Sequence, residues 1–180
     1  MKENIFVITG GPSVGKTALL KSLRDRGHIC FDEVARAFIE EQLSVGGKIV
    51  PWIDLPLFNK HVLDRQIQQH LDAGKELHFF DRGIPDDLGY LKLGNIPISQ
   101  EFQRAADEYR YNKIVFFLEP WREIYVNDAA RKEPFEVALK LSDCLKQAYI
   151  SCGYELVVVP KVSVRERTDF VLNEVKKLNL

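Results

Sequence analysis

The sequence predicts an α/β fold: a mostly parallel sheet of five strands covered by helices on both faces, a three-layer α/β/α arrangement. Three observations carry that expectation. Short apolar runs alternate with stretches whose apolar residues recur at helical spacing. The first run passes straight into a glycine-rich loop that opens onto an amphipathic stretch, giving the order strand, loop, helix. At 180 residues, 46% of them hydrophobic, the chain suits one domain over 1–180 with a substantial core and is short for two.

Taken in order, Ile5-Phe6-Val7-Ile8-Thr9 is the first strand, apolar and β-branched. Ala18 to Arg24 is helical, and Gly27 after Arg26 closes that helix. His28 to Phe31 forms a short second strand ending in Asp32-Glu33, and Val34 to Ile39 is helical. Ser44 to Lys48 reads as a loop leading to Pro51, Trp52 and Asp54. Apolar residues at 57, 58, 62, 63, 67 and 71 predict a long amphipathic helix ended by Gly74. Leu77 to Phe80 is the third strand and delivers Asp81-Arg82-Gly83. Pro85 suits the first turn of the next helix, which Gly94 to Pro97 break. Ser99 is set to cap a helix from Gln100 to about Arg110. Ile114 to Leu118 is the clearest buried strand. A charged stretch from Arg122 to Lys132 follows, within a lid-like segment at about 121–133, before Pro134 opens a helix to about Cys152. Glu155 to Val159 is the fifth strand and Val164 to Leu178 the closing helix. In such a sheet the ligand sits at the carboxyl ends of the strands.

A net charge of −1 gives no electrostatic footprint for nucleic acid or an anionic membrane. Three cysteines without C-x-x-C spacing indicate neither a disulfide framework nor a zinc site. There is no signal-peptide pattern and no run of 18 apolar residues, so the expected location is the cytoplasm. The oligomeric state is left open. The four histidines are scattered and read as structural.

The chemistry concentrates in Gly10, Gly11, Pro12, Ser13, Val14, Gly15, Lys16 and Thr17, the pattern G-x-x-x-x-G-K-[ST] in its required context. By chance that pattern arises about once in two hundred chains of this length. Glycines let the backbone curl its N–H groups inward, and the following helix, entered at Ala18, adds its positive end. Lys16 would reach the β- and γ-phosphates of ATP, and the Thr17 hydroxyl would bind Mg²⁺. Asp81, at a strand end, is the better second metal contact than Asp32-Glu33, which lies one helix from the loop. Arg82 is suited to a phosphoryl group or an acceptor, although Asp81 and Arg82 also suit a helix cap and a mutual pair. Glu33 could orient or deprotonate an acceptor hydroxyl, or stand as a plain helix N-terminal acid. Arg122 and Arg131 are candidates to close over the nucleotide, with Asp128 spaced to pair with Arg131. Val162, after the fifth strand, is the candidate contact to the adenine ring.

These residues, read with Phe31 to Gln42, Phe79 to Asp86, Pro120 to Tyr125 and Gly153 to Pro160, carry a family resemblance over essentially the whole chain. The sequence resembles the small AAA-domain predicted ATPases, a family similar to the ribosylnicotinamide kinase domain of NadR-type proteins and more distantly to deoxynucleoside kinases. The resemblance implies a P-loop kinase-like fold with strand order 2-3-1-4-5 and Mg-ATP bound at Gly10 to Thr17. It also implies an acceptor pocket near Glu33, Arg36 and the Asp81-Arg82 pair, and does not name the acceptor.

Three readings follow. The first is a phosphotransferase passing the ATP γ-phosphate to a small, nucleoside-like molecule. The second is an ATPase or nucleotide-dependent switch acting on a protein partner, and the third a binding module without turnover. A GTPase is disfavoured, because Asn59-Lys60-His61-Val62 lacks the aspartate of the guanine signature and Asp86-Asp87-Leu88-Gly89 falls at a helix start. A kinase needs a second, closed pocket, expected from Glu33, Arg36, Trp52 and Asp87. A switch needs an exposed apolar patch.

Overall fold

The structure is a computed structural model that describes residues 2–124 and 134–178. Five strands, β1 (Ile5–Gly10), β2 (Ile29–Phe31), β3 (His78–Asp81), β4 (Ile114–Leu118) and β5 (Glu155–Val158), form one parallel sheet of order β2-β3-β1-β4-β5. The helices are α1 (Lys16–Asp25), α2 (Val34–Ser44), α3 (Leu55–Asp72), α4 (Ile84–Leu93), α5 (Gln100–Glu108), α6 (Phe135–Ser151) and α7 (Val164–Lys176). Arg122–Ile124 adds a single 3₁₀ turn. Among the described residues no helix is long and apolar enough to cross a membrane.

The central position of β1 follows from its composition. All six residues are buried, and the period of two sends Ile5 and Val7 to one face, Phe6 and Ile8 to the other. Ile5 and Val7 pack with Phe80, Leu88 of α4, Phe102 of α5 and Tyr149 of α6. Phe6 and Ile8 pack with Phe79, Phe116, Leu19 of α1 and Val171 of α7. A smaller cluster, Val34, Phe38, Phe58 and Val62, joins α2 to α3 beside the edge strand β2.

Several element ends differ from the sequence reading, each for a local reason. Helix α2 runs on to Ser44 rather than stopping at Ile39, through the good helix formers Glu40, Glu41, Gln42 and Leu43. Helix α3 starts at Leu55, because the Asp54 carboxylate accepts the Leu57 N–H at 3.0 Å and Pro56 occupies the first turn. Its C-cap is Ala73, not Gly74. Helix α5 ends at Glu108, and the Ser99 side chain makes no capping bond. Helix α7 has a full side-chain cap, where Ser163 and Glu166 make a reciprocal capping box. The carboxyl ends of β1, β2, β3 and β4 therefore open onto the glycine loop, α2, α4 and the segment from Glu119.

Candidate functional site

The loop between β1 and α1 begins at Gly10, where φ is 144° and a Cβ would run into the carbonyl oxygen of Leu118 on β4. Only glycine lets β1 and β4 come this close at the mouth of the site. Ser13 (φ 57°) and Gly15 (φ 88°) are left-handed, a change of hand that turns N–H groups to one side of a loop. Gly15 is the N-cap of α1 and brings no side-chain cap. The first N–H groups of α1, at Lys16, Thr17 and Ala18, have no acceptor within the helix. Pro12 and Val14 are buried under the loop, whereas Thr17 and Ala18 are exposed.

Lys16 is 6% exposed and donates to the carbonyls of Gly10 (3.0 Å) and Gly11 (2.9 Å). Burial, with the Arg82 charge, pulls its pKa down to about 8 against the attraction of Asp81, Glu33 and Asp86. Asp81 closes β3, and burial raises its carboxyl to about 6 despite the Lys16 charge. Its Oδ1 is buried without a hydrogen-bond partner. A buried carboxylate oxygen left without a hydrogen-bond partner suits a hard, oxygen-seeking cation. Among the described residues no three His, Cys, Asp or Glu side chains are grouped to hold a metal, so an ion here would take its remaining ligands from water and phosphate oxygens.

Arg82 sits one residue past β3 with φ 71°, an uncommon and costly conformation for a side-chain-bearing residue. Its N–H donates to the Ile8 carbonyl at 3.0 Å. Its guanidinium lies 3.3 Å from Glu33 Oε1, donates to Asp86 Oδ1 at 2.9 Å, and passes over the Tyr90 ring at 5.2 Å. Burial works against that charge, but Tyr90, Glu33, Asp86 and Asp81 outweigh it and hold Arg82 firmly cationic. Arg82 thus pairs with Glu33 and Asp86 rather than with Asp81. The acid that caps α4 is Asp86, through the Gly83 N–H at 2.9 Å.

Beside this cluster, Gln66 of α3 hydrogen-bonds Asp87 of α4. Gln66 Oε1 and Asp87 Oδ2 are both buried with no further partner. Burial, reinforced by Asp86, lifts the Asp87 pKa well above its ordinary value, against the Arg82 charge and the Gln66 bond.

The structure therefore brings together Lys16, Glu33, Asp81, Arg82 and Asp87. Arg36 and Trp52, expected in the same pocket, are not enclosed with them: Arg36 is exposed and bonds Glu40 one turn on, and Trp52 is 63% exposed. Arg122 lies at the surface, 3.7 Å from Glu136 and over the Phe135 ring. Arg131 and Asp128, with most of the lid-like segment, fall outside the described residues. Val162 is half-buried in the turn before α7.

Sequence reading missed Gln66, Asp86 and Arg167. A signal existed for two of them. Gln66 falls on the apolar stripe of α3 with Val62, Leu63 and His70, and Arg167 on that of α7 with Val171. A polar side chain on a buried stripe asks for a partner.

A family described as AAA domain matches residues 5–167. No curated protein matches the chain by sequence. Among solved structures, a deoxyadenosine kinase from M. mycoides with products dCMP and dCDP is similar at TM-score 0.65 and 15% identity, covering 96% of this chain and 99% of that one. A thymidylate kinase from Ehrlichia chaffeensis is similar at TM-score 0.65 and 12% identity, covering 95% and 97%. A shikimate kinase from Acinetobacter baumannii in complex with shikimate gives TM-score 0.60 and 17% identity over 98% and 94%. At such identities the likeness is one of fold, and that fold is the P-loop kinase-like one.

Proposed function

The chain belongs to this AAA domain family, and from that premise we propose that it is a P-loop phosphotransferase moving the γ-phosphate of Mg-ATP to a hydroxyl of a small, nucleoside-like acceptor. The observation that carries this reading is the buried cluster of Lys16, Glu33, Asp81 and Arg82 beside the glycine loop. Backbone N–H groups from Ser13 to Ala18 would cradle the polyphosphate, and Lys16 would turn from the Gly10 and Gly11 carbonyls to the β- and γ-oxygens. Bound Mg²⁺ would neutralise phosphate charge, with Thr17 and Asp81 as its protein contacts. Arg82 would meet the charge on the transferring group. In the transfer a bond forms from the acceptor oxygen to the γ-phosphorus, the bond from that phosphorus to the β-bridging oxygen breaks, and ADP leaves. The hydroxyl proton passes to Glu33, which is already oriented by Arg82.

For the acceptor, the orphaned Gln66 amide oxygen and the orphaned Asp87 carboxyl oxygen present two adjacent polar edges. Such edges match a nucleobase or another amide-bearing ring. The similar solved structures include small-molecule kinases by name, deoxyadenosine kinase and shikimate kinase, which is in keeping with this class. Gln66→Ala and Asp87→Ala are expected to raise the acceptor KM about tenfold or more, with the KM for ATP nearly unchanged, as initial-rate kinetics would reveal.

ADP release from Mg-ATP, alone and with a panel of nucleosides, ribosylnicotinamide and nucleoside monophosphates, tests the reading. A burst that depends on the acceptor supports the kinase and identifies its substrate class. Slow turnover indifferent to every acceptor sinks it for that panel. The second reading, an ATPase or switch, is favoured by one observation: Val45, Trp52 and Ile53, between α2 and α3, are 72%, 63% and 60% exposed, an apolar surface of the kind partners use.

A further inference from the structure

Arg167 lies one turn into α7 and is 5% exposed. One terminal nitrogen donates to the Val14 carbonyl at 3.3 Å. The guanidinium also fills the space beside Gly15: a Cβ there would stand 2.6 Å from one terminal nitrogen and 3.2 Å from the other. The Trp121 ring lies 5.7 Å away, centroid to guanidinium carbon. Gly15 therefore serves two needs at once, the left-handed turn and room for this cation.

The charge has no counter-charge among the described residues. The acids nearest to Arg167 and Trp121 in sequence are engaged elsewhere: Asp169 with Arg26, Glu166 with Ser163, and Glu119 with Lys146 and Lys161. Nε is buried without a partner. Burial alone pulls the Arg167 pKa below its ordinary value. The first turn of a helix is also the end where a cation is opposed by the backbone dipole. A methionine would fill the same space without either penalty.

We infer that Arg167 is a positioning residue of the nucleotide site, bracing the Val14–Gly15 peptide from behind and supplying a positive charge whose counter-charge is the bound polyphosphate. The inference rests on the nucleotide-binding reading above. Arg167 contacts the loop and acts through it: the Val14 carbonyl stays turned outward, so the N–H groups that follow face inward. Its charge raises the affinity of the loop for anions in proportion to their charge.

The test is calorimetric binding of Mg-ATP, Mg-ADP and AMP to the wild type, Arg167→Lys, Arg167→Met and Arg167→Gln. Gln offers an amide donor toward the Val14 carbonyl but carries no charge. It also gives a reading should the methionine variant fail to fold. ATP binding to Arg167→Gln is expected to weaken about tenfold or more, the usual scale for a charge-assisted contact. The loss should shrink from ATP to ADP to AMP, and Arg167→Lys should recover most of it. An equal loss for all three nucleotides, or wild-type affinity in both neutral variants, overturns the inference alone. A wild type that binds no Mg-ATP overturns the nucleotide reading and this inference with it.

Discussion

Asp86→Ala is expected to destabilise the protein by about 3–5 kcal/mol, the cost of breaking a buried ion pair from one side. Asp86 has no exposed surface, yet its two oxygens collect four donors. Oδ1 accepts from the Thr9 hydroxyl (2.5 Å) and Arg82 (2.9 Å), and Oδ2 from the Gly83 N–H (2.9 Å) and the Tyr149 hydroxyl (2.5 Å). One carboxylate thus ties together β1, the turn after β3, the start of α4, and α6. Alanine would strand the Thr9, Gly83 and Tyr149 donors in the core and leave Arg82 with Glu33 as its carboxylate partner. Asp86→Asn keeps the shape and loses the charge, so its loss should be smaller. Urea unfolding followed by tryptophan emission measures both. A change within about 1 kcal/mol for the alanine variant would mean the network is dispensable. The effect reaches the site as well, because the left-handed turn at Arg82 costs roughly 1–3 kcal/mol and persists only while its surroundings hold it. In the asparagine variant Arg82 should relax, and turnover should fall further than stability does.

Asp86 also marks the limit of what the residues disclose before folding. The fold was legible, because five apolar runs at α/β spacing with a glycine loop after the first leave few arrangements of a parallel sheet. The strand ends Glu33 and Asp81-Arg82 were legible as well, since a parallel sheet gathers its functional groups at its carboxyl edge. Hydrophobic periodicity tells which face of a helix is buried. It does not tell whether a polar residue on that face finds a partner. Tyr149 and Asp86 are 63 positions apart, and Arg167 and Val14 are 153 apart. No local pattern links either pair. Trp52 and Arg36 failed for the opposite reason: an aromatic and a cation near a site look like lining residues, yet their helix and loop turn them toward solvent.

Lys16→Met should separate stability from function at the same atom. Lys16 Nζ is buried, and its pKa falls from 10.5 to about 8. Between those values the folded chain binds fewer protons than the unfolded one, so stability rises with pH across that window. Below about pH 8 the buried ammonium costs roughly 3 kcal/mol, since each tenfold loss of proton affinity is worth about 1.4 kcal/mol. The two bonds to the Gly10 and Gly11 carbonyls return part of this. Without nucleotide, Lys16→Met is therefore expected to be more stable than the wild type by about 1–2 kcal/mol at pH 7. That advantage should fade as pH rises from 8 toward 10.5, where the wild type sheds its proton. Turnover should fall on the order of a hundredfold or more, because the cation that meets the β- and γ-phosphates is gone. Saturating Mg-ATP should then reverse the order of stability. A ligand at a hundred times its Kd adds about 2.7 kcal/mol to the protein that binds it, and the methionine variant should gain little. Thermal unfolding of both proteins, with and without Mg-ATP, reads all of these effects. A methionine variant less stable than the wild type in the absence of nucleotide would show that the buried charge is compensated within the apo site. A variant as active as the wild type would remove Lys16 from the chemistry. The expected crossing of the two stabilities ties both effects to one cause, a buried lysine whose pKa is lowered by desolvation and whose phosphate counter-charge would come with the substrate.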